Sequence, residues 1–302
     1  MSEPIQSQQK DHILKGIASV CGALFLITTM LALGKMLYGK HHVIEVVFYR
    51  NMIGLIPMVA YLLMSRKYHL LRSHMPGPLF IRVAVGSVAV ILTFAAMQLL
   101  PMANATVIFF ASTLIIPVMA HVFLKEKIGF HRWLAVAIGM SGVLLIARPS
   151  ADLTMIGVMV AFGAAIGHAI IQIMLRYLRA ESSFTVTFYF LLGGGLLCAL
   201  FMPFVATMPT KDTIFILLAL GSMAALGQYL LTVAFHYAPA SVLNPFNYTG
   251  LIWSTGFDIL IWHHMPGWPV FAGSAIIIAA NFYILHRERV TGRAQKGLDL
   301  RK

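Results

Sequence analysis

Apolar runs of about twenty residues, separated by short polar breaks, recur along this sequence and leave it few folds to choose from. Ten of them cover roughly 14–37, 43–64, 79–99, 102–123, 129–147, 153–175, 183–205, 213–236, 241–262 and 268–286. A helix needs ~20 mostly apolar residues to cross the hydrocarbon of a bilayer. Lipid offers no partner to the backbone of an open strand, so a helix is the default for each run. Barrel strands would alternate over ~10 residues, and runs such as AVAIGMSGVLLIA do not alternate. Composition closes the other routes. Apolar residues make up 59% of the 302 and charged residues only 11%, with a mean hydropathy of +0.84. A soluble domain carries roughly 25% charged residues. A soluble enzyme, a disordered chain and a coiled coil are excluded, and the fold class expected is all-α integral membrane with ten transmembrane helices.

Residues 1–15 are polar, and the apolar run Gly16 to Gly34 is longer than the h-region of a cleaved leader, so it reads as a permanent first span. Orientation follows from the cations. With the N-terminus inside, inner segments carry Lys10, Lys15, Arg66, Lys67, Arg72, Lys125, Lys127, Arg132, Arg176, Arg179 and the basic tail, which together hold 16 of the 22 Lys and Arg. Outer segments carry Lys35, Lys40, Arg148 and Lys211, while Arg50 and Arg82 lie within or at the edge of spans. The positive-inside rule then places both termini in the cytoplasm of a cell whose inner membrane the chain crosses many times. The net charge of +12 follows this orientation and does not call for nucleic acid.

The two halves repeat. A shift of 138 residues lays LLPMANAT (99–106) on YAPASVLN (237–244), pairing Pro101 with Pro239, Ala96 with Ala234 and Gly129 with Gly267. A shift of 140 lays VVFYRNMIG (46–54) on VTFYFLLGG (186–194). The expected organisation is a five-helix unit over 14–148, a second over 153–286 and a basic cytoplasmic tail over 287–302. Five is odd, so the second unit enters the membrane inverted, which is an architecture of secondary transporters with a site at the repeat interface.

Several polar side chains fall inside apolar runs, where lipid contact is costly. In the ninth run Asn244, Asn247, Tyr248, Leu251, Thr255 and Asp258 share one helical face. That stripe either lines a cavity or bonds across packed helices. Asp258 has three readings: proton coupling, a counter-ion for a cationic substrate, or an interfacial carboxylate reaching water. Lys35 and Glu45 stand at similar depth where the first two runs meet, and a pair between them would neutralise both. Arg50 lies deeper and offers a planar fork of donors suited to a carboxylate or phosphate, or to an ion-pair lock between helices. His168 and Gln172 in the sixth run, and Gln228, Thr232 and His236 in the eighth, form polar seams. Asn104 and Thr106 occupy the repeat positions of Val242 and Asn244, and Phe109, Tyr229 and Trp253 are candidates to stack on a planar substrate. The substrate-binding set expected is thus Arg50, Asn104, Phe109, His168, Gln172, Gln228, Tyr229, Asn244, Asn247, Tyr248 and Trp253, with Lys35, Glu45 and Asp258 in gating or coupling.

No catalytic residues, metal ligands or cofactor are expected. His41-His42 and His263-His264 are adjacent pairs without an acid or Cys at chelating spacing, and no GxxxxGK[ST] is present. Gly193-Gly194-Gly195 reads as a close helix contact. Cys21 and Cys198 read as packing residues without a disulfide framework.

The stretch MQLLPMANATVIFFASTLIIPVMAHVFLKEKIGFHRWLAVAIGMSGVLLIARP (97–149) resembles the EamA domain of the drug/metabolite transporter superfamily. It shows a turn with proline and small residues, a helix with an internal Pro117, the acidic element Leu124-Lys125-Glu126 and a Gly-rich helix ending at Arg148-Pro149. The second half repeats the pattern with weaker motifs and has IWHHMPGW (261–268) where that element would recur. The resemblance implies two inverted EamA repeats and a secondary transporter, not an enzyme. The segment HHVIEVVFYRNMIGL (41–55) is similar to a subgroup with carriers proposed for S-adenosylmethionine or riboflavin uptake, in which a Lys in helix one and an acid and Arg in helix two recur. The function expected is alternating-access transport of a small polar organic metabolite, with such uptake as the first reading. Export of an amino acid or other metabolite is the rival, and an intramembrane transferase is the rival of a different class. The expected partners are that solute and the bilayer, with a homodimer open.

Overall fold

The computed structural model describes residues 3–124, 129–147, 153–178, 180–237 and 243–299. The Lys125-Glu126 part of the acidic element, Arg148-Pro149, Arg179, Pro239 and Val242 lie outside the described residues. So do the side chains of Asn244, Thr232, His236, Arg176 and the basic tail.

Among the described residues the chain is helical with short connections. The long helices are α1 (Glu3–Met36), α2 (Val43–Ser65), α3 (Pro76–Leu99), α4 (Met102–Leu124), α5 (Phe130–Ile146), α6 (Met155–Tyr177), α7 (Ser183–Ala199), α8 (Lys211–Tyr237), α9 (Thr249–Trp262) and α10 (Trp268–Asp299). Six of them, α1, α2, α3, α4, α6 and α8, contain stretches of 18 to 24 residues apolar enough to cross a membrane. Shorter apolar stretches lie in α5, α7 and α10. The chain is a multi-pass helical membrane protein.

Local chemistry accounts for several helix ends. Thr154 and Ser182 cap α6 and α7 by accepting from Gly157 N at 3.1 Å and Phe184 N at 3.2 Å. His42 caps α2 in the same way, its Nδ1 accepting from Ile44 N at 3.3 Å. Two expected boundaries move. The seventh run, expected as a helix over 183–205, stops at Ala199 and resumes as one turn, Met202–Val205, with Pro203 in its first positions. The ninth run is not one helix over 241–262. Asn244–Tyr248 form a 3-10 turn containing Pro245, and the α-helix begins only at Thr249. Pro245 lacks an N–H and favours the start of a helix over its middle, so the α-helical spacing used to place Asn244 and Asn247 on one face with Asp258 does not hold through this turn.

The helices pack across the two halves. α1 lies along α8, α3 along α6, α5 along α10 and α2 along α7, while α4 meets both α6 and α9. Small residues set the closest approaches. A Cβ on Gly142 of α5 would stand 2.8 Å from Gly273 O, and one on Gly273 of α10 would stand 2.6 Å from Gly142 O. The two backbones therefore touch, as small-residue crossings in membranes allow. Between α2 and α7 the contact is reciprocal. Asn51 Nδ2 sits 2.7 Å from the Cβ position of Gly194, and Leu191 Cδ1 sits 3.7 Å from that of Gly54.

Candidate functional site

Three polar junctions tie the bundle together, each built by residues distant in sequence. The first gathers the last turn of α1, the turn between α3 and α4, and α9. Asp258 is wholly buried. Its Oδ1 accepts from Met102 N at 2.9 Å and its Oδ2 from Ala103 N at 2.8 Å. The carboxylate thus satisfies two of the orphan donors at the α4 N-terminus and meets the positive end of that helix. Lys35 Nζ lies 3.9 Å from Asp258 Oδ1, donates to Leu100 O at 2.7 Å and stands 4.8 Å from the centre of the Trp262 ring. Two expectations are corrected. Lys35 pairs with Asp258 and not with Glu45, because α1 ends against α9. Asp258 does not reach water, because α4 closes over it.

The second junction joins α2 to the α7–α8 linker. Glu45, also wholly buried, accepts from Thr207 Oγ1 at 3.1 Å and Thr207 N at 3.4 Å, and His41 Nδ1 stands 2.9 Å from its Oε1. The third joins α7 and the α6–α7 linker to the α2–α3 linker. Glu181 Oε1 accepts from Ser73 Oγ at 2.8 Å and from the N–H groups of His74 and Met75 at 2.6 Å each. Thr185 and Tyr189 add bonds to Leu70 O at 2.6 Å and Leu71 O at 2.8 Å. Burial pushes the Glu181 carboxyl up, but the bonds from Ser73, Met75 and His74, together with the charge of His74, outweigh it and hold the group below its ordinary value. Glu181 was absent from the expected site residues. The signal that marks it in the sequence is one acid immediately before the Ser182 cap, in a chain with ten Asp and Glu.

Arg50 lies inside the body of the protein. Its Nη1 donates to Asn51 Oδ1 at 2.7 Å, its Nε points at Met30 Sδ at 3.4 Å, and its Cζ is 6.0 Å from the centre of the Phe190 ring. Among the described residues no carboxylate oxygen comes within 4.0 Å of it. The ion-pair lock expected among Lys35, Glu45 and Arg50 is therefore not formed.

His168 Nε2 stands 3.0 Å from Thr93 Oγ1, with the Phe109 ring 5.9 Å away, which brings α3, α4 and α6 together. Asn104 is buried in α4. Tyr248 meets Phe110 edge-on at 5.0 Å and Phe282 at 6.2 Å, and Asn247 is half-buried in the 3-10 turn. Gln172, Gln228, Tyr229 and Trp253 are exposed, and Trp253 packs edge-on against Phe25 at 5.1 Å. Among the described residues no three His, Cys, Asp or Glu form a group able to hold a metal ion.

The multi-pass helical body thus holds buried polar and cationic side chains, and its linkers are clasped at both ends. Residues 14–148 and 155–285 each match the EamA-like transporter family. The chain belongs to that family, and it is a small-molecule transporter of the drug/metabolite transporter superfamily and not an enzyme.

Among its relatives is the pseudopaline exporter of Pseudomonas aeruginosa, 27% identical over 89% of this chain and 95% of that one. The S-adenosylmethionine uptake transporter of Rickettsia bellii is 27% identical over 85% and 88%. The riboflavin transporter of Rhizobium johnstonii is 28% identical over 72% and 73%. A solved crystal structure, 17% identical, superposes with a TM-score of 0.65 over 91% of this chain and 98% of its own. That likeness concerns the fold.

Proposed function

We propose that the chain crosses the inner membrane ten times as two inverted five-helix repeats, over 14–148 and 153–286, with both termini cytoplasmic. It moves a small polar organic metabolite by alternating access. Uptake of an S-adenosylmethionine- or riboflavin-like solute is the first reading, drawn from two of the relatives. Export of a metabolite is the second, favoured by the likeness to the pseudopaline exporter.

The observation that carries this reading is the reciprocity of the α2–α7 contact. Under the 140-residue shift Asn51 corresponds to Leu191 and Gly54 to Gly194. The contact Asn51–Gly194 therefore has Leu191–Gly54 as its mate. A pattern in which i meets j and j meets i is the signature of a two-fold relation. The pairings of α1 with α8 and α3 with α6 are mates in the same sense. The linkers follow suit: the α2–α3 linker is held by α7 and its approach, and the α7–α8 linker by α2 and its approach. In the proposed topology these clasps sit at opposite membrane faces, inner for Glu181 and outer for Glu45, and the Lys35–Asp258 junction closes the outer end as well. Such a pair of end closures, related by the repeat, is what rocking of one half against the other requires.

Arg50 and Asn51 occupy the interface about which such rocking would turn. Arg50 would meet the solute. His168, Phe109 and Asn104 would line the pathway on α4 and α6, and Asn247 and Tyr248 would do so at the 3-10 turn.

The test is counterflow in proteoliposomes holding the purified chain, with labelled S-adenosylmethionine and riboflavin as the first probes. Acceleration of label entry by the unlabelled compound inside is the result expected of a carrier. Flux of a transported probe that ignores the inside compound would mark a channel and overturn the reading.

A further inference from the structure

Arg82 is a second arginine inside the helical body, and neither the junctions nor the proposed pathway uses it. It stands six residues into α3, about 9 Å of helix rise from Pro76, and is 8% exposed. Neither its Nε nor its Nη1 has a hydrogen-bond partner among the described residues. No carboxylate oxygen there comes within 4.0 Å of it either. Its Cζ lies 4.4 Å from the centre of the Phe190 ring, the ring that also receives Arg50 at 6.0 Å. Two guanidiniums thus converge on one phenyl group where α2, α3 and α7 meet. A ring face offsets only part of the desolvation of one buried cation, and two cations at one ring repel each other. An anion with paired oxygens would balance the arrangement, since the planar forks of two arginines are shaped to grip one. Asn51 Nδ2 and Ser87 Oγ both approach Gly194 at the same three-helix contact, so polar groups share this seam with the apolar Val83 and Met52.

We propose that Arg50, Arg82 and Phe190 form the site for an anionic group of the transported solute, a carboxylate or a phosphate. The proposal rests on the carrier reading and deepens it by naming the substrate's charge. In the proposed topology Arg50 projects from the outer half of α2 and Arg82 from the inner half of α3. An anion crossing between the faces would meet a cation on either side of the ring. A phospholipid headgroup presents the same chemistry from a different source, and the experiment separates the two.

The full chain is reconstituted in phosphatidylcholine nanodiscs, and thermal unfolding is followed with succinate, citrate or inorganic phosphate against succinamide at equal ionic strength. At least one anion should raise Tm by about 2 °C or more, and succinamide should not. Arg82→Gln and Arg50→Gln should each weaken the anion's affinity about 10- to 100-fold, while Arg66→Gln at the end of α2 leaves it unchanged. If Arg82→Gln does not fold, Arg82→Lys, which keeps the charge and loses the fork, should show a smaller weakening. No anion-specific shift in the wild type, or wild-type affinity in the Arg82 variants, would overturn the site. Stabilisation seen only when phosphatidylglycerol replaces phosphatidylcholine, with none from the soluble anions, assigns the cations to lipid and overturns it too. Counterflow is scored separately. Anion binding at Arg82 without counterflow sinks the carrier reading and leaves the site standing, and counterflow without anion binding does the reverse.

Discussion

Replacing Asp258 by Asn probes the junction that joins α1, α4 and α9. The wild-type carboxylate accepts two backbone bonds at 2.9 and 2.8 Å and faces Lys35 at 3.9 Å. Asn keeps one oxygen and presents an amide donor to the other N–H, so Met102 or Ala103 is left unpaired in a buried place. That loss costs about 1–3 kcal/mol. Lys35 also loses the one carboxylate within 4.0 Å of it among the described residues. Removing one partner of a buried pair costs about 3–5 kcal/mol in all. The two costs overlap, so the expected total is about 3–5 kcal/mol. Lys35→Met should cost less, about 1–2 kcal/mol, because Asp258 keeps both N–H donors and the positive end of α4. The double variant should fall short of the sum by about 1–2 kcal/mol, since the stranded cation is gone. Thermal unfolding of the purified chain reads these as a Tm loss of roughly 6–20 °C for Asp258→Asn, at about 2–4 °C per kcal/mol. A variant within about 2 °C of wild type, or a Lys35→Met chain less stable than Asp258→Asn, would refute the reasoning.

Glu181 carries a pH prediction. Its folded pKa lies below the ordinary 4.5, so the unfolded chain takes up the proton first as pH falls. The stabilisation is present in full above 4.5 and is lost as pH drops through the depressed folded value. Glu181→Gln should therefore flatten the acid limb of a Tm-against-pH curve, and an unchanged limb would count against the clasp. Gly273→Ala brings a methyl within 2.6 Å of Gly142 O, a backbone atom that cannot swing aside. We expect a loss of about 1–3 kcal/mol in denaturant or thermal unfolding as α5 and α10 are pushed apart. Gly256→Ala in α9 meets nothing within 4 Å and should be neutral or up to about 1 kcal/mol stabilising.

Hydropathy and length along the chain determined that this is a helical membrane protein, because lipid leaves the backbone only helices or closed barrels and these apolar runs do not alternate as barrel strands do. The Ser182 and Thr154 caps were equally local, since a cap needs only the two or three residues after it. The EamA pattern around Pro101 and Pro117 was legible for the same reason. Pro245 is legible as well, since a proline there favours a helix start, and the α-helical period does not extend through the 3-10 turn that contains it. What the sequence could not decide was partnership. Lys35 has Glu45 ten residues away and Asp258 more than two hundred away, and only the crossing of α1 with α9 selects the distant acid. Arg82 read as a cation at the edge of a span until the packing of α3 on α7 set it over Phe190 beside Arg50. Burial that charges require to be shared is settled between helices, and spacing within one helix carries no record of which neighbour will share it.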